Sequence, residues 1–593
     1  MKQFFKFLFA SLFGTFLALI LLVAVLAGVI GAIASSASEE KDVSIKDNSI
    51  LYISLEEQIA DRTSEDPFDN FDWNDFKSIP QIGLNDILEN LEKAKKDDRI
   101  KGIFMDLTIV NVGLARMNEI RDALVDFKTS GKFIYTYSDV MDQQAYYLAS
   151  VSDKIYSHPG GLIQLNGLSA QPVFLKGAFD KLEIEMQVIR HGKFKSAIEP
   201  LTRENMSDAN RLQTEVFVNS LWTTMVNEIS DSRNLTVERI NSLADGLAVE
   251  SPQDAMNSGL IDGVKYRDEM LAELRELTEV EEGKKLKFVK MKKYSGVKVD
   301  GDEKSLEDYK TKIAVIYAGG EIQYGESESD VMGSKTIANA IEKARKDEKV
   351  KSIVLRVNSP GGSSLASDII WRQVVLAKKD KPVVVSMGNL AASGGYYISC
   401  GADKILADEN TITGSIGVFG VIPNAKGFFN NKLGITFDTV NTNTYSDMGA
   451  LTRPLKPVET QYITNMVERI YDDFVNKVAE GRSMTYAEVD SIGQGRVWTG
   501  TDALKIGLVD EIGGLSRAID VAAELANLED YSIYELPEQK SPFEDLAKQF
   551  SENMESKMAS KYFGKYFSEF DGIYKNLTEF GIYARMPYNY NIQ

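Results

Sequence analysis

PVVVSMGNLAASGGYYISCG, residues 382–401, places an apolar run directly before a turn of small residues. The three valines that begin it predict a buried strand, and the residues after Gly395 have helical character. A strand, a sharp turn and a helix in succession put Ser393 at the turn, where its neighbours are too small to block a substrate from an exposed hydroxyl. Ser393 is therefore a candidate nucleophile, although an isolated Ser-Gly-Gly turn is more often a packing device.

The chain contains an internal sequence repeat. Four pairs of segments match, three of them at one shift of 250 residues: 91–107 with 341–357, 145–155 with 395–405, 161–170 with 411–420, and 254–264 with 502–512. A match sustained over such a length indicates an internal duplication. We expect two homologous domains at 46–280 and 311–537.

Each copy alternates helical segments with short apolar strands. This alternation predicts an α/β fold with a mainly parallel sheet covered on both faces. The charged stretch 281–310 between the copies is typical of a linker. The tail 538–593 spaces aromatic and aliphatic residues between charges, which is compatible with an amphipathic helix that packs on a domain or on a partner.

The N-terminus predicts a membrane anchor. After a short segment 1–6, no charge occurs from Phe7 to Ser38, and a membrane-spanning helix needs only about 20 apolar residues. We place the transmembrane helix at 7–34, with lysines before it and acids after it, so that the rest of the chain lies outside the cytoplasm. A cleaved signal peptide is the alternative, because residues 32–34 (Ala-Ile-Ala) resemble a cleavage site.

Composition limits the chemistry. With 87 acidic and 67 basic residues the net charge is −20, which argues against a nucleic-acid partner. One cysteine and two histidines build neither a disulfide nor a Cys/His metal cluster, so we expect no metal and no cofactor. Both histidines lie in the first copy, so the base for Ser393 is expected to be a lysine of depressed pKa. The stretch 190–206 offers Lys193 and Lys195.

The two copies act as an internal control. Ser393 falls opposite Gln143, and the segment 358–363 falls opposite 108–113, which has no Pro-Gly-Gly turn. The apolar scaffold around both positions is shared, so the serine and the glycines belong to the chemistry of the second copy. Glycines let backbone amides approach an oxyanion closely, so Gly361 and Gly362 are candidate oxyanion donors.

Four segments together resemble the signal peptide peptidase A family in its long two-domain form: NSPGGS (358–363), NLAASGGYY (389–397), TGSIGVFG (413–420) and GKFKSAIEP (192–200). The resemblance implies two tandem domains of the Clp protease/crotonase type after a transmembrane helix. It also implies a serine endopeptidase that cuts hydrophobic peptides, including signal peptides, with a serine–lysine dyad.

By the same resemblance Ser393 is the nucleophile, Lys195 the base and Ser415 the serine that orients the lysine, with Gly361 and Gly362 as the oxyanion hole. Lys193 is the less favoured base, because its position in the motif varies. The resemblance further implies a homotetramer in the bacterial inner membrane, single-pass, with its catalytic domains on the periplasmic side. Two alternatives remain: a non-catalytic membrane scaffold that retains the fold, and a crotonase-type enzyme acting on acyl thioesters.

Overall fold

The computed structural model describes these residues: 6–7, 11–18, 20–21, 45–56, 59–64, 71–72, 77–78, 82–281, 283–299, 310–328, 330–539 and 582–585. Most of the expected anchor 7–34 and of the tail 538–593 lies outside them. Within the described part, no helix has both the length and the apolar character needed to cross a membrane.

The first copy is built on a six-stranded parallel sheet. Its strands, in spatial order, are Gly263–Val264, Lys154–Ile163, Phe133–Met141, Ile100–Asp106, Ser49–Ile53 and Phe288–Lys290. The last of them comes from the stretch expected to be a linker. Its helices are Leu84–Lys96, Leu114–Lys128, Gln143–Ala149, Lys176–Leu182, Glu199–Thr202, Asp208–Arg233, Val237–Asp245, Pro252–Asn257, Arg267–Leu277 and Met291–Ser295, with a 3₁₀ turn at Ser196–Ile198. A hairpin joins Phe71–Asp72 to Lys77–Ser78.

The second copy repeats this plan with an eight-stranded sheet. Six strands follow one another across it: Val497–Thr499, Ile412–Gly414, Val383–Ala392, Val350–Ser359, Lys312–Gly319 and Ser532–Leu536; Lys404–Ala407 pairs with the third and with Glu511–Ile512. Only the first pair is antiparallel. The helices are Ser334–Lys346, Ser364–Lys378, Gly394–Ser399, Pro457–Arg482, Tyr486–Ile492, Gly500–Lys505 and Leu515–Ala526, with a π-helical turn at Phe428–Leu433. The predicted α/β class with tandem, mainly parallel sheets is confirmed.

A third sheet crosses from one copy to the other. Its strands, in spatial order, are Val331–Gly333, Glu321–Gln323, Gly361–Ser363, Ile582–Arg585, Val418–Asn424 and Glu185–His191. The last strand belongs to the first copy and pairs antiparallel with its neighbour over seven residues. A main-chain ladder therefore joins the two copies.

A buried ion network also joins them. Arg356 of the second copy is 1% exposed and donates to Asp61 and Glu119 of the first. Glu119 also accepts from the Leu515 amide. Burial opposes ionisation of Asp61, yet the charges of Arg116 and Arg356 hold its pKa below its usual range. Because a buried charge without its partner is costly, this network disfavours separation of the copies.

Candidate active site

Ser393 lies at the sharp turn that the sequence predicts. It follows the strand Val383–Ala392 and precedes the helix Gly394–Ser399, with φ at 57°. A serine rarely adopts this backbone conformation, so the surrounding structure must hold it; the Ser393 amide donates to Gly414 O at 2.8 Å. The side chain is not exposed as expected: the residue is fully buried, because Lys195 and the strand Ile412–Gly414 pack against it.

Lys195 reaches this turn from the other copy. The cross-copy ladder pairs His191 with Val418, so the loop that follows His191 lies beside the residues that precede Val418. Lys195 is four residues beyond the end of one strand, and Ser415 is three residues before the start of the other. The ladder therefore brings the lysine and both serines together.

The Lys195 amine contacts three oxygen atoms of Ser393 and Ser415. Its Nζ lies 2.8 Å from Ser393 Oγ, 3.1 Å from Ser415 Oγ and 3.2 Å from Ser415 O. Lys195 is fully buried, and this burial alone lowers its pKa well below the ordinary value.

A neutral amine has two N–H groups and one lone pair. We assign the N–H groups to the two oxygens of Ser415 and the lone pair to the Ser393 hydroxyl, which then donates. Ser415 Oγ in turn donates to Gly495 O at 3.4 Å. In the neutral form of the amine, this assignment gives each of these groups a partner and directs the Ser393 proton at the lone pair of Lys195 Nζ.

The turn that contains Gly361 and Gly362 lies beside Ser393. Ser359, at the end of its strand, pairs with Ala391, and Gly361 and Gly362 follow with φ at 99° and 157°. The Gly361 amide donates to Ser359 Oγ at 3.1 Å in this structure. The geometry thus brings the predicted oxyanion turn to the site, and the role of its amides stays a prediction.

Gly362 is expected to tolerate no side chain. A Cβ there would lie 2.1 Å from Ile322 O, which is rigid main chain, so Gly362→Ala must displace the turn. We expect kcat/KM to fall about a hundredfold, the effect of misplacing a catalytic group by about 1 Å. Gly325→Ala is the matched control, because Gly325 also has positive φ but no described atom within 4 Å of the added Cβ. Equal activities for the two variants would contradict the prediction.

In the first copy, the position that corresponds to Ser393 is occupied by the larger side chain of Gln143. The Gln143 side chain accepts from the Asn166 and Gly167 amides and donates to Gly167 O. The Gln143 side chain thus pairs with the main-chain polar groups of a loop whose counterpart in the second copy runs beside Lys195 and Ser393. Lys195 falls opposite Tyr445 or Ser446 of the second copy, depending on a one-residue gap, and both of these residues are exposed. The two copies therefore form one site between them.

Two further elements surround Lys195 that sequence reasoning missed. Gln213 bonds the residues on either side of the lysine, and the turn Gly493–Arg496 packs against its main chain. The comparison of the two copies offered a signal for the turn. At the shift that matches 254–264 to 502–512, the pair Gln494–Gly495 falls opposite a different pair, Gly246–Leu247. Gln213 on a long helix carries no comparable signal.

A buried serine within hydrogen-bond distance of a buried lysine, at the carboxyl ends of parallel strands, is the arrangement of a serine hydrolase. Residues 126–281 and 376–529 match peptidase family S49. The chain belongs to this family and is a serine peptidase, which sets aside the scaffold and thioester alternatives.

Curated relatives match over most of their length. Serine protease SPPA, chloroplastic, of Arabidopsis thaliana is 36% identical over 82% of this chain and 70% of its own. Protease 4 of Haemophilus influenzae is 35% identical over 84% of this chain and 82% of its own, and Protease 4 of Salmonella typhi is 37% identical over 77% and 74%. Among solved structures, a mutant of ClpP1 from Listeria monocytogenes has a TM-score of 0.24 and 15% identity, covering 35% of this chain and 94% of that one.

Proposed function

We propose that the protein is a membrane-anchored serine endopeptidase that cuts extended hydrophobic peptides, including signal peptides, with Ser393 as nucleophile and Lys195 as general base. The observation that carries the proposal is the 2.8 Å separation of Lys195 Nζ and Ser393 Oγ in a fully buried setting. A lysine whose pKa is depressed by burial is neutral at a lower pH than an exposed one and is then able to accept a proton.

The proposed reaction follows from these contacts. Ser393 Oγ attacks the peptide carbonyl carbon while its proton passes to Lys195 Nζ. The oxyanion that forms is stabilised by main-chain amides of the turn at Gly361 and Gly362. Lys195 then gives the proton to the leaving amine of the substrate. In the second step a water activated by Lys195 Nζ hydrolyses the acyl-enzyme. Ser415 holds Nζ through both steps.

The extended conformation proposed for the substrate is supported by the strand Ile582–Arg585 of the third sheet. Residues 582–585 pair antiparallel with Gly361–Ser363 on one side and with Phe419 and Gly420 on the other. This place is bounded by the predicted oxyanion turn and by the strand that follows Ser415. An extended peptide added between the same two edges would be held mainly by main-chain hydrogen bonds, with its side chains pointing alternately to the two faces.

The membrane and assembly parts of the proposal rest on the sequence. The uncharged run from Phe7 to Ser38 supplies lipid contact and places the peptidase domains on the periplasmic side of a bacterial inner membrane. The homotetramer follows from the resemblance to the signal peptide peptidase A family. A membrane location brings the enzyme to signal peptides, which are themselves apolar.

Removal of the strand Ile582–Arg585 is expected to raise activity. Because residues 582–585 occupy the place proposed for the substrate, the attached segment competes with added peptide at a high effective concentration. Deletion of 582–593 should raise kcat/KM for a short peptide by about tenfold. Deletion of 586–593, which keeps the strand, is the matched control. Equal kcat/KM values for the two deletions would show that the strand does not block the place proposed for the substrate.

The function is tested with a set of signal peptides and polar peptides of equal length. Products of the wild-type enzyme and of Ser393→Ala are identified by mass spectrometry. We expect internal cuts in the hydrophobic peptides by the wild type alone. Cuts that persist in Ser393→Ala, or that remove only terminal residues, would overturn the proposal.

A further inference from the structure

The backbone of Lys195 is held by a turn of the second copy. Gln494 and Gly495 have φ at 50° and 80°, so two consecutive residues are left-handed. The Phe194 amide donates to Gln494 O at 2.9 Å. A Cβ on Gly495 would lie 2.6 Å from the N, Cα and Cβ atoms of Lys195, which shows how closely the turn packs against the lysine main chain.

The opposite side of this turn is hydrogen-bonded to the segment that contains Ser415 and Ile416. The Gly495 amide donates to Ile416 O at 2.6 Å, and the Ser415 amide donates to Arg496 O at 2.7 Å. Gly495 O accepts from Ser415 Oγ. The turn therefore lies between the lysine and Ser415 and is bonded to both, so it sets the distance between the two segments that meet at Nζ.

A glutamine of the first copy, Gln213, hydrogen-bonds to the lysine loop and to the second copy. Gln213 is 1% exposed and lies on the helix Asp208–Arg233. Its Nε2 donates to Ser196 Oγ at 2.7 Å and to Phe194 O at 3.2 Å, and its Oε1 accepts from the Val497 amide at 3.4 Å. The Gln213 side chain thus hydrogen-bonds to both neighbours of Lys195 and to Val497, two residues after Gly495.

We propose that Gln213 and the turn Gln494–Gly495 are positioning residues for the catalytic base, and that they fix Lys195 Nζ against Ser393 across the boundary of the two copies. The proposal rests on the proposed serine–lysine function. Neither element is placed to touch a reacting atom. Both act through the lysine main chain, which reaches the site from a loop and has no regular secondary structure to hold it.

The consequences for activity follow from the geometry. Gly495→Ala pushes the lysine loop away, and Gln213→Met removes the amide while keeping the side-chain length. A displacement of about 1 Å costs about a hundredfold in rate, so we expect kcat to fall about a hundredfold in the first variant and about tenfold in the second, with KM little changed. Water admitted beside Nζ favours the charged amine, so the pH at which kcat/KM rises should move upward.

The test measures kcat, KM and the pH profile of kcat/KM in the full-length protein, with the labelling rate of Ser393 by a serine-reactive phosphonate as a second readout. Gly507→Ala is the matched control for backbone strain. Gly507 has φ at 79°, and among the described atoms an added Cβ there meets only Met484 Cε, the end of a flexible side chain. A merely structural role predicts that all three variants lose folded protein without any change in pH profile.

Lys195→Met is assayed alongside and separates the two ways to fail. If Lys195→Met keeps full activity, the proposed dyad is wrong. If Lys195→Met is inactive while Gly495→Ala and Gln213→Met keep the wild-type profile and kcat per labelled site, the positioning inference alone is overturned. Its expected support is an upward shift of the profile in both variants and none in Gly507→Ala.

Discussion

Ser393→Ala is expected to lower kcat/KM by about 10⁴- to 10⁶-fold, the range seen when the nucleophile of a serine peptidase is removed. The Ser393 hydroxyl is the oxygen that contacts the buried amine of Lys195. Alanine at this position leaves no atom to attack a carbonyl. The strained turn is kept, because the hydrogen bond from the main-chain amide of residue 393 to Gly414 O does not involve the side chain. Activity is measured on a hydrophobic peptide that carries a fluorophore and a quencher.

The matched control is Ser352→Ala. Ser352 is fully buried in the same domain, and its Oγ has no hydrogen-bond partner among the described residues. Removal of this hydroxyl is expected to leave kcat/KM within about twofold, since no bond is lost. If Ser393→Ala kept a tenth of the wild-type rate in protein free of wild-type enzyme, Ser393 would not be the nucleophile.

Local features of the site follow from sequence because they depend on neighbouring residues. The run of valines, the small residues and the glycines of 382–401 are sufficient to predict a strand, a sharp turn and a helix. The comparison of Ser393 with Gln143 separates chemistry from scaffold, because packing constrains both copies alike. The α/β class follows from alternation that recurs in each copy.

The joining of the copies depends on distant pairing, which sequence periodicity does not report. The ladder between Glu185–His191 and Val418–Asn424 connects segments more than 200 residues apart, and its register decides which loop meets Ser415. The same limit applies to the tail. Residues 582–585 form a strand because two unpaired edges accept them, whereas local spacing of apolar residues in 538–593 is compatible with a helix.

Lys195→Met is expected to lower kcat/KM by about 10⁴-fold and also to change how stability depends on pH. Burial lowers the pKa of Lys195, so over a pH range below about 10.4 the unfolded chain holds a proton on this residue that the folded chain does not. The free energy of unfolding of the wild type therefore rises with pH in that range, by about 1.4 kcal/mol per pH unit from this group. Methionine has no such proton, so this contribution disappears.

The measurement is denaturant unfolding of wild type and Lys195→Met at a series of pH values between the folded pKa of Lys195 and about 10. Other ionisable groups are common to both proteins and cancel in the difference, which should rise in favour of the wild type by about 1.4 kcal/mol per pH unit. Lys193→Met is the matched control: its side chain is exposed two residues away, and we expect full activity. A difference independent of pH would mean that Lys195 is charged in the folded protein, and a charged amine has no lone pair with which to accept the serine proton.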